Sequence, residues 1–334
     1  NAHLIRAASP TVLAVGANPN DVSPFDGKQR HGGRDRLYGF DHVFGPDATQ
    51  VDVFAATVRQ LLPAVLAGLE TSCFAYGCTN SGKTHTVVGS PEAPGLMSLG
   101  LVELFAMLAA HTQCHPYEVS LSYLEIYNEK IRDLLSRTSE ALELRTDAEG
   151  AVAVAGISRE RAHSPEEVLA LVRRGSRQRV QEGTAANSAS SRSHAVLQIF
   201  VLMGPDTNAL GKPLKRRLGK LSLVDLAGSE RAAETQNRGQ RMIEGASINK
   251  SLLALGNCIN ALAAASQHDG ATKKNKSYVN FRDSQLTRLL ANAISGPCKT
   301  VMIANVSPAL ANLDETLNTL KFASRAATIQ TKAL

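Results

Sequence analysis

Apolar residues recur along this chain in two rhythms. At helical spacing they run through residues 51–69, 99–110 and 243–265. Residues 72–76, Ser-Cys-Phe-Ala-Tyr, form a short apolar run that fits a buried strand, and 300–306 reads the same way. Across 118–127, Ser, Glu and Tyr alternate with Val, Leu and Ile, the period of a strand. Two further strands are predicted over 195–203 and 218–226, joined by a basic hairpin at 212–217. Ser164-Pro165-Glu166-Glu167 marks a helix start, with Ser as cap and Pro in the first turn, for a helix reaching about Gln181. Helices are also predicted over 283–294 and 315–329. Between these elements lie short strands and loops at 136–164, a lysine-bearing loop at 272–277, and a Gly/Pro-rich loop at 16–36 that carries Lys28, Arg30, Arg34 and Arg36. Strands alternating with helices predict an α/β fold of three layers: a central mixed, mostly parallel sheet with helices on both faces. No composition shift marks a boundary, so a single domain is expected.

Composition narrows the class. With 43% hydrophobic and 20% charged residues over 334 positions, the chain can bury a core and is not disordered. Trp is absent and aromatics are 4%, so that core must be aliphatic. The longest apolar runs fall well short of a bilayer span and no signal peptide opens the chain. The first residue is Asn rather than Met, which predicts a piece of a longer protein or a processed chain. Cys73, Cys78, Cys114, Cys258 and Cys298 form no C-x-x-C pair, which predicts free thiols in a reducing cytosol and gives no support to a zinc site. The net charge of +6 suits an acidic partner, whether nucleic acid, anionic lipid or protein, and equally a merely basic enzyme.

The candidate chemistry begins where the strand at 72–76 ends. Gly77-Cys78-Thr79-Asn80-Ser81-Gly82-Lys83-Thr84 is G-x-x-x-x-G-K-T, a phosphate-cradling loop. Its glycines let backbone N–H groups turn inward, Lys83 is placed to reach the β- and γ-phosphates, and the Thr84 hydroxyl to join Mg²⁺. Asp225-Leu226-Ala227-Gly228 closes another strand: a carboxylate able to hold Mg²⁺ through water, then a glycine whose N–H can meet a γ-phosphate. Asn187-Ser188-Ala189-Ser190-Ser191-Arg192-Ser193-His194 offers clustered hydroxyls beside an arginine. Phosphoryl transfer asks for positioning, Mg²⁺ and placed donors rather than a covalent nucleophile, and these three loops supply such parts. The nearest match to a guanine-reading N-K-x-D box, Asn249-Lys250-Ser251-Leu252, lacks the Asp and lies in a predicted helix, so ATP is favoured.

With these motifs the chain resembles a kinesin motor domain over residues 3–334. Ala75-Tyr76-Gly77, Ser122-Tyr123-Leu124-Glu125-Ile126-Tyr127-Asn128-Glu129, Asp225-Leu226-Ala227-Gly228-Ser229-Glu230-Arg231, the stretch from Ile248 to Gly256, and Phe281-Arg282-Asp283-Ser284 carry the likeness. Ser193-His194-Ala195-Val196-Leu197-Gln198, Thr235-Gln236-Asn237-Arg238-Gly239-Gln240-Arg241 and Gly256-Asn257-Cys258-Ile259-Asn260-Ala261-Leu262 resemble class-8 kinesins. The resemblance implies a microtubule-stimulated ATPase. Ser191 would join the Mg²⁺ shell, Ser190 would place the lytic water, and Gly228 would sense the γ-phosphate. Arg192 and Glu230 would pair to close the site, and His85 would lie against adenine. It also implies a motor domain at 1–327 followed by the start of a neck linker at 328–334, plus-end-directed motion, and a full-length homodimer through a stalk. The location implied is the microtubule cytoskeleton of the cytoplasm, with no role for nucleic acid or membrane.

The family's first strand, with its Arg-x-Arg-Pro against adenine, is missing from the sequence, so the sheet is expected to be short of one member. Gln285 stands where many kinesins carry a lysine, and Asn80 replaces a commoner small residue. The resemblance implies a tubulin-facing set of Arg238, Arg241, Lys250, Lys273, Lys274, Lys276, Arg282 and Arg288. In class-8 and related depolymerising kinesins the loop matching Lys28 to Arg36 reaches toward tubulin, which opens filament depolymerisation as an activity.

Overall fold

Four neighbouring strands whose apolar residues alternate between two faces decide the architecture. In chain order the computed structural model has β1 (Ile5–Ser9), β2 (Val12–Val15), β3 (Arg36–Gly39), α1 (Gln50–Ala56), α2 (Val58–Leu66), β4 (Glu70–Tyr76), α3 (Lys83–Val87) and α4 (Leu96–His111). Then come β5 (Tyr117–Tyr127), β6 (Lys130–Asp133), β7 (Leu144–Thr146), β8 (Val152–Val154), β9 (Glu160–Ala162), α5 (Pro165–Gln181), β10 (His194–Met203) and β11 (Arg217–Asp225). The last elements are α6 (Gln240–Gln267), α7 (Gln285–Leu289), α8 (Ala291–Ser295), β12 (Cys298–Ala304) and α9 (Leu313–Ala326). The described residues are 4–16, 35–111, 116–138, 140–146, 152–181, 191–204, 215–230, 240–267, 279–296 and 298–329.

The main sheet runs β12-β4-β11-β10-β5-β6, with β9 also paired to β5. On β4, Cys73 and Ala75 enter one core while Phe74 and Tyr76 enter the other. On β5, Leu121 and Tyr123 face the first core and Leu124 and Ile126 the second. Helices α1, α2, α4 and α5 cover the first face through residues such as Leu62, Leu104 and Val168. Helices α6, α7 and α8 cover the second through Leu255, Leu286 and Ile294. Each such Leu, Ile or Phe withdrawn from water contributes about 1.5–3 kcal/mol, so both faces drive the layering. A separate antiparallel sheet, β1-β2-β3, sets Leu13 and Val15 against Leu313 and Leu320.

The structure corrects several expectations. The sheet is mixed, but its parallel part is confined to β12-β4-β11, and all other pairings are antiparallel. Strands β5 and β6, and β10 and β11, are consecutive along the chain with no described helix between them, and each pair is antiparallel. The helix expected at 51–69 is two helices parted at Thr57, whose hydroxyl bonds back to the Val53 carbonyl and bends the path. The helix expected at 283–294 is likewise α7 and α8, parted at Leu290; Ser284 caps α7 by accepting from Thr287 N at 3.1 Å. Arg36, expected in a loop, opens β3 opposite Val15. Strand β5, expected to alternate polar and apolar, is buried on both faces from Val119 to Ile126 because helices cover each side.

Among the described residues β12 pairs on one side only, with β4. Beside its other edge a cavity of about 760 Å³ extends past Phe40, Met302, Ala304 and Leu320 to His85.

Gly219 on β11 lies so close to α2 that a Cβ there would meet the Val65 carbonyl oxygen, backbone against backbone. Gly219→Ala is therefore expected to lower stability by roughly 1–3 kcal/mol, the usual cost of forcing extra volume into a packed contact. Urea denaturation checks this, and an unchanged midpoint would contradict the packing described.

Candidate nucleotide site

The site grows from the ladder at the sheet's upper edge. Asp225 is in register with Ala75 across the parallel β4–β11 pair, and with Ala195 across β10–β11. Glu125 is opposite Ala195 from the other side. One lateral row therefore holds the end of the P-loop strand, two carboxylates and the small side chain between them.

The chain leaves β4 at Gly77 and enters α3 at Lys83. A Cβ at Gly77 would meet the Asn305 carbonyl, so only glycine fits where the loop passes beneath the chain leaving β12. Asn80 (φ 63°) and Gly82 (φ 98°) adopt left-handed conformations, which Asn tolerates better than most residues. Lys83 Nζ donates to the carbonyls of Gly77 (2.8 Å) and Cys78 (2.9 Å), folded onto its own loop. Burial pushes its ammonium below the ordinary value, while Asp225 and Glu230 pull it back up. His85 is tied to the start of α1, where Gln50 Nε2 donates to its carbonyl and lies 3.2 Å from its Nδ1.

Arg179 completes the row from above. It is 6% exposed, and its guanidinium lies 3.5 Å from both Glu125 Oε1 and Asp225 Oδ2. It also donates to Ser193 Oγ (3.0 Å) and to the Ser193 carbonyl (2.8 Å). Thr84 Oγ1 donates to Asp225 Oδ2 at 3.0 Å. One oxygen of Asp225 is thus held by an arginine and a threonine, while buried Oδ1 has no hydrogen-bond partner among the described residues. Such an oxygen is costly to bury unless something binds it. A Thr hydroxyl and a carboxylate side by side at the end of a P-loop fit hydrated Mg²⁺, which keeps most of its water and needs few protein ligands. The residues present therefore fit both a nucleotide phosphate and its cation.

The loop after β11 is stitched to both neighbours. Gly228 N donates to the Ser191 carbonyl, and Ser229 N to the Gly77 carbonyl, each at 3.0 Å. Glu230 accepts from Thr79 N at 2.8 Å and from Thr79 Oγ1. His194 is 2% exposed; its Nδ1 accepts from Ala227 N at 3.1 Å and its Nε2 lies 2.9 Å from Ser251 Oγ on α6.

The structure thus brings together Gly77 to Thr84, Asp225, Gly228, Glu230 and the Ser191 backbone. Ser190, Arg238, Lys273, Lys274 and Lys276 lie outside the described residues, as do Lys28, Arg30 and Arg34; Arg241 lies in α6 with its side chain undescribed. Lys250 and Arg282 are exposed. Half-buried Arg288 reaches the Leu144 carbonyl at 3.3 Å. Gln285 N donates to Glu129 Oε2 at 2.7 Å. Arg179, His194 and Ser251 were assigned no role from sequence. Arg179 had a signal: Val168, Val172, Gly175 and Arg179 recur at spacings that share one helix face, and the first two are buried. A lone arginine ending an apolar stripe points to a buried carboxylate partner.

Arg179→Met leaves buried Glu125 and Asp225 without the guanidinium that lies 3.5 Å from each. It is expected to lower stability by roughly 3–5 kcal/mol in chemical denaturation, and a loss below about 1 kcal/mol would contradict the cluster. Burial, then Arg179 and Lys83, push the His194 ring down from 6.5 to about 3. The unfolded chain therefore takes up a proton near pH 6.5 that the folded chain refuses, so this stability is present above pH 6.5 and drains away as pH falls toward 3. Between pH 7.5 and 5 the contribution amounts to about 2 kcal/mol. Denaturation midpoints across that range should fall less steeply in His194→Asn than in the parent; parallel curves would contradict the buried neutral ring.

Known proteins resemble this chain in sequence and fold. The family profile described as the kinesin motor domain matches residues 11–329. Kinesin-like protein KIF19 of Homo sapiens is 47% identical over 309 residues, covering 92% of this chain and 30% of that protein. Kinesin-like protein KIN-8B of Arabidopsis thaliana is 47% identical over 298 residues, covering 89% of this chain and 35% of that protein. The chain thus spans about a third of the length of these curated relatives. A solved KIF14 dimer, described as AMP-PNP-bound in complex with a microtubule, superposes with a TM-score of 0.85 at 32% identity, covering 99% of this chain and 90% of that one. The relatives that this chain matches include class-8 kinesins, and the chain belongs to the kinesin motor domain family.

Proposed function

We propose that this chain is a microtubule-stimulated ATPase motor that moves along microtubules toward their plus ends. The observation that carries the reading is the loop after β11: Asp225 beside Thr84 with one oxygen unpartnered among the described residues, and Gly228 N bonded to the Ser191 carbonyl. The solved KIF14 complex supports the choice of track. Mg²⁺, when bound, would neutralise the phosphates and hold them in one geometry. Lys83 would exchange the Gly77 and Cys78 carbonyls for phosphate oxygens, and the amides of Asn80 to Thr84 would hold the rest. Thr84 and Asp225 would hold the cation directly or through water, joined by Ser191. Gly228 N would exchange the Ser191 carbonyl for the γ-phosphate. Glu230 and Arg192 would pair to close the site, with Ser190 placing the attacking water. His85 would lie against the base.

Release of Gly228 on hydrolysis frees the loop that leads into α6, and α6 would present Lys250 to tubulin with Arg282 beside it. An acidic track meets these cations mainly in on-rate and salt sensitivity. The same reading makes residues 1–327 the motor domain, places a further strand beside the open edge of β12, begins the neck linker at 328, and expects a stalk-linked homodimer on cytoplasmic microtubules. Depolymerisation of filaments is proposed as a second output.

ATP turnover measured with and without microtubules tests the core of this. Turnover should rise with microtubules, and Lys83→Ala should lower it by about 100-fold or more, as expected when a donor to developing charge is removed. Tight filament binding without stimulation would instead mark a non-hydrolysing module. Neutralising Lys28, Arg30, Arg34 and Arg36 together should reduce filament shortening more than ATP turnover. Equal loss of both, or of neither, would count against a depolymerising role for that loop.

A further inference from the structure

Strand β10 opens with two residues that face opposite ways. Ala195 lies in the first core, under the Arg179 cluster, while His194 points into the second layer, where α6 packs. Both ring nitrogens of His194 are engaged, one by the backbone of the phosphate-reading loop and one by a helix residue 57 positions away in sequence. The Ala227 amide can only donate, so Nδ1 must accept. In a neutral ring the proton then resides on Nε2 and is donated to Ser251 Oγ. Full burial and two neighbouring cations keep the ring neutral, so the direction of both bonds is fixed.

Ala227 immediately precedes Gly228, the amide bonded to Ser191. Ser251 immediately follows Lys250, exposed on α6. A hydrogen bond fails beyond about 3.5 Å, so α6 and the loop cannot shift past each other by more than a fraction of an ångström without breaking one of these two bonds. A buried donor or acceptor left without a partner is penalised, which favours two discrete arrangements over a continuum.

We propose that His194 is a positioning residue that couples α6 to the phosphate-reading loop, with Ser251 as its anchor on the helix. The inference rests on the nucleotide reading of the site; whether α6 then meets microtubules is a separate matter. A simple buried pair would support the fold equally in every nucleotide state. A coupling strut makes α6 respond to the nucleotide.

The test is hydrogen exchange of the α6 amides, comparing the ADP-loaded chain with the chain loaded with a non-hydrolysable ATP analogue. In the parent, protection of α6 should differ between the two states. Ser251→Ala should shrink the ratio of exchange rates by about tenfold while leaving nucleotide affinity within about twofold. His194→Asn retains an acceptor for Ala227 N but is too short to reach Ser251, so it should act alike. The double variant should be no worse than either single one, because both cut the same bond. An undiminished difference in Ser251→Ala, or an α6 indifferent to nucleotide in the parent, overturns the proposal. Microtubule co-sedimentation of the same proteins separates the two readings. Failure of the parent to bind would count against the motor function and leave the exchange result to decide the role of His194.

Discussion

The backbone ladder joining β4, β11, β10 and β5 is the constraint on which the rest depends. Parallel pairing sets Asp225 opposite Ala75, two residues before Gly77, and antiparallel pairing sets Ala195 between Asp225 and Glu125. A slip of one residue in β11 would turn Asp225 toward the opposite face and bring Val224 to the row. The P-loop, the loop after β11 and the segment before β10 are therefore neighbours because the strands that deliver them are in register. Apolar burial on both faces holds that register against the electrostatic cost of what sits at its end.

That cost is considerable. Arg179, Glu125, Asp225 and Lys83 are all buried, and replacing them with apolar residues of similar volume would by general experience be neutral or stabilising. Their presence is explained by position rather than stability. Arg179 holds one oxygen of Asp225 together with the hydroxyl and carbonyl of Ser193, which fixes the start of β10 while the other Asp225 oxygen has no hydrogen-bond partner among the described residues. On the other side of the strand His194 ties the loop after β11 to α6. A buried polar row on one face and a buried histidine on the other make this end of the sheet sensitive to small shifts in either loop.

Much of the site was legible because its parts are short consecutive motifs: Gly77 to Thr84, Asp225 to Gly228, and the serines before β10. Their meeting followed from each motif lying at the end of a predicted strand. Arg179 and Asp225 are far apart in sequence, and only strand register plus the helix packed over it brings them together. The same holds for His194 and Ser251, an ordinary serine in a helical run. Helix breaks at Thr57 and Leu290 were illegible because neither position carries Gly or Pro; a hydroxyl bonding back onto the helix and the packing of two short helices override a continuous pattern. The antiparallel half of the sheet was hidden because alternating strands and helices suggest crossovers, whereas β5–β6 and β10–β11 are consecutive strands with no described helix between them. Two-sided burial of β5 depends on helices supplied by distant sequence.

The central claim is that these loops form one Mg²⁺-dependent nucleotide site. The most direct measurement is equilibrium binding of a fluorescent ADP to the purified chain, first with Mg²⁺ and then with excess chelator, in the parent and in Asp225→Ala. The account predicts tight binding with Mg²⁺, release on chelation, and weak binding in the variant under either condition. Binding that ignores both the chelator and the loss of Asp225, or no binding by the folded parent, would contradict it.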